Sequence, residues 1–251
     1  MKITDRHAKQ EVNLLSITEN PLKLLYTAAK TCYSSNNALE MFNQDVDENK
    51  MLLLVTKVLG MGHESIMEHC FMTFAVSGIS RALSHQHVRH RLKTFSQKSQ
   101  RYVAYHEPFS FIVPKSIEPS KRYRGGGLNM SYNDLMEMIQ GMYSSMLADG
   151  IPAEDARYIL PNACETSYVV SCNLRELAYF AGLRRCSKAQ WEIRMLADKM
   201  CVEVVKKHTW LERYLVPKCV KYKQCTELTP CGLMDIIINK LEEKEIFNTN
   251  N

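Results

Sequence analysis

Between His69 and His106 the sequence has no aspartate and no glutamate. Folded proteins usually mix charge signs over their surfaces, so this absence points to a region kept clear of competing carboxylates. The same window holds five of the eight histidines and the run RHRLKTFSQKSQRY at 89–102, with Arg89, Arg91, Lys93, Lys98 and Arg101. Other absences exclude whole classes of function. The first twenty residues, MKITDRHAKQEVNLLSITEN, contain no apolar signal core, and no run approaches the length of a membrane span. The expectation is a cytoplasmic protein with no membrane partner. There is no G-x-G-x-x-G fingerprint, so a dinucleotide would need a non-Rossmann site. Walker and G-x-S-x-G sequences are also missing.

Two further patterns fall short of a chemical signature. HESIMEH at 63–69 misses the zinc-protease spacing, because the second histidine would have to stand at Met67 and because His63 and His69 do not share a helix face. The nine cysteines include no C-x-x-C pair; Cys219, Cys225 and Cys231 are spaced evenly by six. None has an activating neighbour in sequence. The reading is free thiols in a reducing compartment, with no metal site and no nucleophilic cysteine.

The composition, 45% hydrophobic and 24% charged, is that of a globular chain with material for a sizeable core. The net charge of +5 is mild, so the clustered basic residues suit a local anion site better than a whole face for DNA. Residues 9–17 read as a strand, a helix begins near Pro21, and residues 46–59 place Met51, Leu52, Val55, Val58 and Leu59 on one stripe, with Gly60 closing the helix. CFMTFAVS reads as a strand and SRALSHQHVRHRL as a helix. KRYRGGGLN reads as a basic, Gly-rich loop. Ser131 and Asp134 open a helix whose Leu135, Met138, Met142 and Met146 are expected to pack in the core. Asn173 and Glu176 form a cap before LRELAYFAGL. Ser187 and Gln190 read as a capping box before a helix with Ile193, Leu196, Ala197, Met200 and Val204 inward. A short helix over 233–241 and a frayed NTNN tail are expected. Residues 1–231 read as one domain, with 232–251 an added helix and tail. The order of elements points to α+β: a mixed or antiparallel sheet with flanking helices, non-Rossmann.

Arginine suits phosphate because it is always charged and offers planar, paired donors. Arg89, Arg91 and Arg101, beside Ser99 and two glutamines, make a donor-rich stretch suited to a phosphorylated heterocycle. Two plainer readings stand beside it. One is a solvated basic face. The other is an RNA- or polyanion-binding surface in the 81–101 region, with Phe95, Tyr102 and Tyr105 stacking on bases. The chain lacks an RNA-module signature.

RHR, seven residues, then Ser99 followed by QRY resembles the signature of the flavin-dependent thymidylate synthases. AAKTCYSS at 28–35, GHESIMEH at 62–69, SRALSHQHVRHR at 80–91 and the long stretch ARYILPNACETSYVVSCNLRELAYFAGLRRCSKAQWEIR at 156–194 resemble the same family, in the same order. The resemblance implies reductive methylation of dUMP to dTMP. Methylenetetrahydrofolate would give the one-carbon unit, and FAD reduced by NADPH the hydride. It also implies a homotetramer with shared active sites, no nucleic-acid partner and no cysteine nucleophile. By matching position, Gln86, His87, Val88, Arg89, Gln97, Lys98, Ser99, Gln100, Arg101 and Arg157 would line the dUMP site. Ser65, Arg89, His90, Arg91, Gln97, Asn173, Leu174, Arg175 and Tyr179 would meet FAD, and His63 would help bind folate. Arg184 would be catalytic at the pyrimidine; the plainer reading of Arg184 and Arg185 is a positive pair completing a helix C-terminus. His87, Tyr179 and Gln97 depart from residues common in the family.

Overall fold

The computed structural model describes residues 3–105 and 107–249. In chain order its elements are β1 (Glu11–Ile17), α1 (Pro21–Thr31), α2 (Ala38–Asn43), α3 (Glu48–Gly60), β2 (Phe71–Ser80), α4 (Arg81–His87), β3 (Thr94–Gln97), β4 (Arg122–Gly125) and β5 (Leu128–Ser131). Then follow α5 (Tyr132–Ala148), α6 (Ala153–Ala156), β6 (Glu165–Asn173), α7 (Leu174–Arg184), α8 (Trp191–Lys207), α9 (Lys218–Lys221) and α10 (Met234–Thr249). Four strands form one sheet in the order β1-β2-β6-β3, and β4 and β5 form a separate antiparallel hairpin. This is an α+β arrangement without the strand–helix alternation of a doubly wound fold. Among the described residues no helix is long and apolar enough to cross a membrane.

The chain divides into two compact units, each assembled from separate segments. One comprises Met1–Val12, Ala75–His90 and Phe95–Val170. Its core gathers Tyr105, Phe109, Phe111, Met136, Tyr143, Ala156 and Cys164. Arg6 is buried against this core, its guanidinium lying over Phe109 and Phe111 and its Nε donating to the Phe109 carbonyl at 3.0 Å. Gly78 has φ +64, and a Cβ there would stand 1.9 Å from the Lys9 carbonyl oxygen, so only glycine fits this approach.

Three expectations are corrected in this unit. The helix at SRALSHQHVRHRL is α4 alone, capped by the Ser80 hydroxyl on the Leu83 N–H and ended at His87, where the chain turns. KRYRGGGLN is not a loop: it is the β4–β5 hairpin. Gly126 (φ +55) and Gly127 (φ +78) both adopt the left-handed conformation that a tight two-residue hairpin turn needs. Ser131 and Asp134 do form the capping box of α5, but Leu135, Met138 and Met142 face outward, and only Met146 packs partly on the core. The buried face is Met136, Gln140 and Tyr143. It wins because Gln140 supplies a polar partner inside, its Oε1 accepting the Phe109 N–H at 2.8 Å.

The other unit comprises Asn13–Phe74, Arg91–Thr94 and Ser171–Asn251. Pro21 opens α1, as expected, after Asn20 in a left-handed conformation. Asp47 caps α3, whose inward residues include Val55, Val58 and Leu59; the left-handed turn after it falls at Gly62 (φ +85), not Gly60. The Asn173 side chain caps α7 by accepting the Glu176 N–H at 2.9 Å. The stripe Ile193, Leu196, Ala197, Met200 and Val204 of α8 is fully buried. The cap of α8 is Gln190 rather than a Ser187 box. Its Oε1 accepts the N–H groups of Glu192 and Ile193 at 3.0 and 3.1 Å, while the Ser187 carbonyl takes the Arg194 guanidinium. The final helix, α10, runs past the expected 241 to Thr249; the last residues of the NTNN tail, Asn250 and Asn251, lie outside the described residues.

Candidate functional site

In the first unit the basic stretch is anchored at both ends. Helix α4 brings Gln86 to a half-buried position and His87 to a buried one; Val88 and Arg89 are exposed beyond its end and His90 is buried. The His87 Nδ1 pairs with the Tyr168 hydroxyl at 2.5 Å, and its ring meets Phe95 edge-on at 5.0 Å. His87 therefore belongs to an aromatic cluster with Phe95 and Tyr168.

Strand β3 then presents Gln97, whose amide donates to the Thr166 hydroxyl at 3.1 Å. Lys98 is fixed through its N–H to the Ser167 carbonyl at 2.9 Å, with its ammonium over the Tyr105 ring. The Ser99 hydroxyl accepts the Arg101 N–H at 3.2 Å, and the Gln100 amide points at the Cys164 sulfur at 3.6 Å. Two arginines far apart in sequence come together at Glu154. The Arg101 Nε donates to its carboxylate at 2.6 Å, and the Arg157 Nε donates to its carbonyl oxygen at 2.9 Å. The carboxylate-free window is thus not free of carboxylate in space: the fold supplies Glu154 from α6.

In the second unit the 3-10 turn Glu64–His69 carries Ser65, with His63 just before it; all three of His63, Ser65 and His69 are exposed. Arg175, in the first turn of α7, reaches back to this turn. Its Nη1 donates to Glu68 at 2.5 Å, and its Nε stands 3.9 Å from Glu64, which also receives Lys221. Arg175 therefore meets the turn that carries Ser65 across a long sequence separation. The exposed Arg91 belongs to this unit, as does exposed Tyr179. Leu174 is wholly buried, and its N–H donates to the Cys70 carbonyl at 2.8 Å. At the far end of α7, Arg184 and Arg185 part company. Arg185 is tied down by Asp198 at 2.7 Å and by the Leu215 carbonyl, whereas Arg184 is half-buried beside buried Lys93.

Lys93 is a surprise of this unit. It stands in the basic run, yet it is buried, with its ammonium 3.5 Å from the centre of the Phe180 ring. Burial lowers its pKa to about 8; Cys172, Glu176 and Cys201 oppose that shift and Arg184 adds to it. Burial also pushes Cys70 and Cys172 up to about 11 and Cys201 up to about 12. These are inert, protonated thiols at neutral pH. A cavity of about 450 Å³ opens in the same unit, between Gly62 and Glu64 on one side and Lys221, Lys223, Ile238 and Leu241 on the other.

Sequence reasoning missed Glu154, Glu64, Glu68, Tyr168 and Thr166, the partners that fix the expected site residues. Apart from the Arg157–Glu154 contact, each lies dozens of residues from the residue it holds, and no local pattern marks it. The arrangement as built holds guanidinium, hydroxyl and amide donors on exposed edges, with their orientations set by neighbours. Such an edge can bind phosphate and a heterocycle's carbonyl groups.

Residues 13–209 match the family model described as thymidylate synthase complementing protein. The chain is 40% identical over 191 residues to a flavin-dependent thymidylate synthase of Geobacter sulfurreducens, covering 76% of this chain and 80% of that protein. It is 36% identical over 243 residues to the flavin-dependent thymidylate synthase of Pyrococcus furiosus, covering 92% and 96%. Among solved structures, a UMP/dUMP methylase of Streptomyces cacaoi bound with 5-Br dUMP superposes with TM-score 0.67 at 23% identity, covering 83% of this chain and 95% of that one. Thymidylate synthase X of Helicobacter pylori with FAD and dUMP superposes with TM-score 0.65 at 24% identity, covering 82% and 99%, so the fold is shared. With a family model spanning most of its length and relatives this similar end to end, the chain belongs to the flavin-dependent thymidylate synthases, a family of enzymes.

Proposed function

We propose that this enzyme converts dUMP to dTMP, taking its one-carbon unit from methylenetetrahydrofolate and its reducing equivalents from NADPH, with FAD as the bound cofactor. The observation that carries the reading is the family match across residues 13–209. The donor set suits the groups involved. Exposed Arg89, Arg91 and Arg175 carry guanidiniums suited to a pyrophosphate, Ser65 adds a hydroxyl, and Gln97 an amide for a ring edge. Tyr179 offers an exposed ring. His90 and Leu174 are buried and the Asn173 side chain caps α7, so these three rest on the family match alone. When bound, FAD supplies the hydride that completes the methyl group.

On the dUMP side, Gln86, His87, Val88, Arg89, Gln97, Lys98, Ser99, Gln100, Arg101 and Arg157 form the nucleotide site. Arg184 stabilises negative charge developing along the imide edge of the pyrimidine, a role typically worth about 100- to 1000-fold in rate for one donor. His63 assists folate. No thiol attacks the ring, in keeping with the raised pKa values of Cys70, Cys172 and Cys201. The enzyme works in the cytoplasm as a homotetramer with shared sites, which suits the exposure of Ser65, Arg89, Arg91, Arg175 and Tyr179 on one chain. Residues 1–231 act as one synthase domain, with 232–251 appended.

The test is the visible spectrum of the purified protein and the identity of any released cofactor. The proposal expects a yellow protein with the oxidised-flavin band at about 450 nm, releasing FAD. A protein that stays colourless after incubation with FAD and instead binds RNA tightly would establish the polyanion-binding reading.

A further inference from the structure

Four cysteines from separate stretches line one small cavity of about 80 Å³: Cys186 past the end of α7, Cys219 in α9, and Cys225 and Cys231 in the segment before α10. The even spacing of the last three carries no metal signature; the fold adds the fourth thiol. All nine cysteines are unbridged. Lys188 and Lys218 line the same cavity.

Among the described residues no three His, Cys, Asp or Glu side chains are already gathered tightly enough to hold an ion. Binding an ion would require the segment that carries Cys225 and Cys231 to draw in. Residues 222–233, between α9 and α10, form no helix or strand and contain two left-handed residues, Lys223 (φ +52) and Gly232 (φ +74). We propose that Cys186, Cys219, Cys225 and Cys231 bind one zinc ion as a tetrathiolate structural site, which closes on loading and fastens the α9–α10 segment to the end of α7. Four thiols lose four protons as the ion binds, leaving a site of net charge −2 that Lys188 and Lys218 offset. Zinc–sulfur bonds of about 2.3 Å need a tight tetrahedron of sulfurs, and a cavity this small suits a bare ion better than an organic ligand. All four protein ligands are used, which makes the site structural rather than catalytic. Its consequence reaches the larger cavity, because Val220, Lys221, Lys223, Ile238 and Leu241 of the fastened segment form one of its walls.

The test uses the full chain, purified with reductant and dialysed against a mild chelator. We expect about one zinc per chain by elemental analysis, and four thiols that react with a thiol reagent only after the metal is stripped. Adding Co²⁺ to stripped wild-type protein should give a thiolate-to-cobalt charge-transfer band and the visible bands of tetrahedral cobalt. Cys225→Ser and Cys231→Ser should each weaken metal binding by tenfold or more, whereas Cys32→Ser, at an exposed cysteine outside the cavity, should leave it unchanged. Wild-type protein that purifies without zinc and gives no cobalt–thiolate band overturns the proposal. So do native thiols that are all freely reactive, or a disulfide joining two of the four.

Discussion

Arg101 and Arg157 meet at one residue: Arg101 Nε donates to the Glu154 carboxylate at 2.6 Å, and Arg157 Nε to the Glu154 carbonyl at 2.9 Å. The Arg101–Glu154 pair is about half exposed on both sides, so it adds little to stability, about 0–1 kcal/mol. In the proposed nucleotide site, the carboxylate would compete with a phosphate for the Arg101 guanidinium. Arg101→Ala should weaken dUMP binding by about 10- to 100-fold. Glu154→Gln should tighten it several-fold at low ionic strength with little change in unfolding free energy. Calorimetry on both variants checks this. If Glu154→Gln weakens dUMP as much as Arg101→Ala does, Glu154 orients the arginine rather than competing for it.

Arg184 and Arg185 should separate in a kinetic test. Arg184→Ala should lower single-turnover dTMP formation at saturating dUMP by about two orders of magnitude or more. Lysine at 184 should restore only part, because a point charge does not reproduce the planar fork. Arg185, held by Asp198 and the Leu215 carbonyl, should cost stability instead when replaced. A full single-turnover rate in Arg184→Ala with weakened dUMP binding would make Arg184 a binding residue.

Lys93 predicts a pH dependence whose sign is set by burial. Its ordinary pKa of 10.5 is lowered to about 8 in the folded chain, where Glu176, Phe180 and Arg184 of α7, Cys172 of β6 and Cys201 of α8 surround it. Between those values the unfolded chain holds a proton that the folded chain has released. Raising the pH from 8 towards 10 should therefore stabilise the wild type relative to Lys93→Met, by about 1 kcal/mol per pH unit. Below pH 8 the folded state bears the full cost of the buried charge. Urea unfolding of both proteins at pH 7, 8 and 9 measures the difference; a constant gap across that range contradicts the account.

Gly78 should tolerate no side chain. The Cβ of Gly78→Ala would sit 1.9 Å from the Lys9 carbonyl oxygen at φ +64, so both the clash and the backbone strain act together. The loss should exceed about 2 kcal/mol. Thermal melts of Gly78→Ala beside Gly60→Ala, where nothing crowds the added methyl, give the comparison. Equal melting temperatures would show that the strand can shift to make room.

The parts of the fold that sequence made legible are those where one physical signal acted alone. The α8 stripe Ile193, Leu196, Ala197, Met200 and Val204 is inward because its period is helical and nothing polar competes. On α5 the period of Leu135, Met138 and Met142 is just as clear, yet the buried face was decided by Gln140 meeting the Phe109 N–H, a pairing with no local trace. The hairpin at Gly126 and Gly127 was in plain view, but three glycines in a basic run read more naturally as a loop. In the candidate site, the residue types of 86–101 were readable, while their settings were not. His87 turned inward to Tyr168, Lys93 went under Phe180, and Arg101 found Glu154 from fifty-three positions away. Cys186 joining the 219–231 cysteines is the same kind of long-range event.

The central claim, flavin-dependent methylation of dUMP, is tested most directly by product formation. Purified enzyme with FAD, dUMP, methylenetetrahydrofolate and NADPH should form dTMP under anaerobic conditions. Omitting dUMP, methylenetetrahydrofolate or NADPH, or stripping the bound FAD, should abolish it, and a wild-type chain alkylated at its accessible thiols should still turn over in a single cycle. Formation of dTMP that needs no flavin, or its absence from flavin-loaded, folded enzyme with every co-substrate present, would contradict the account.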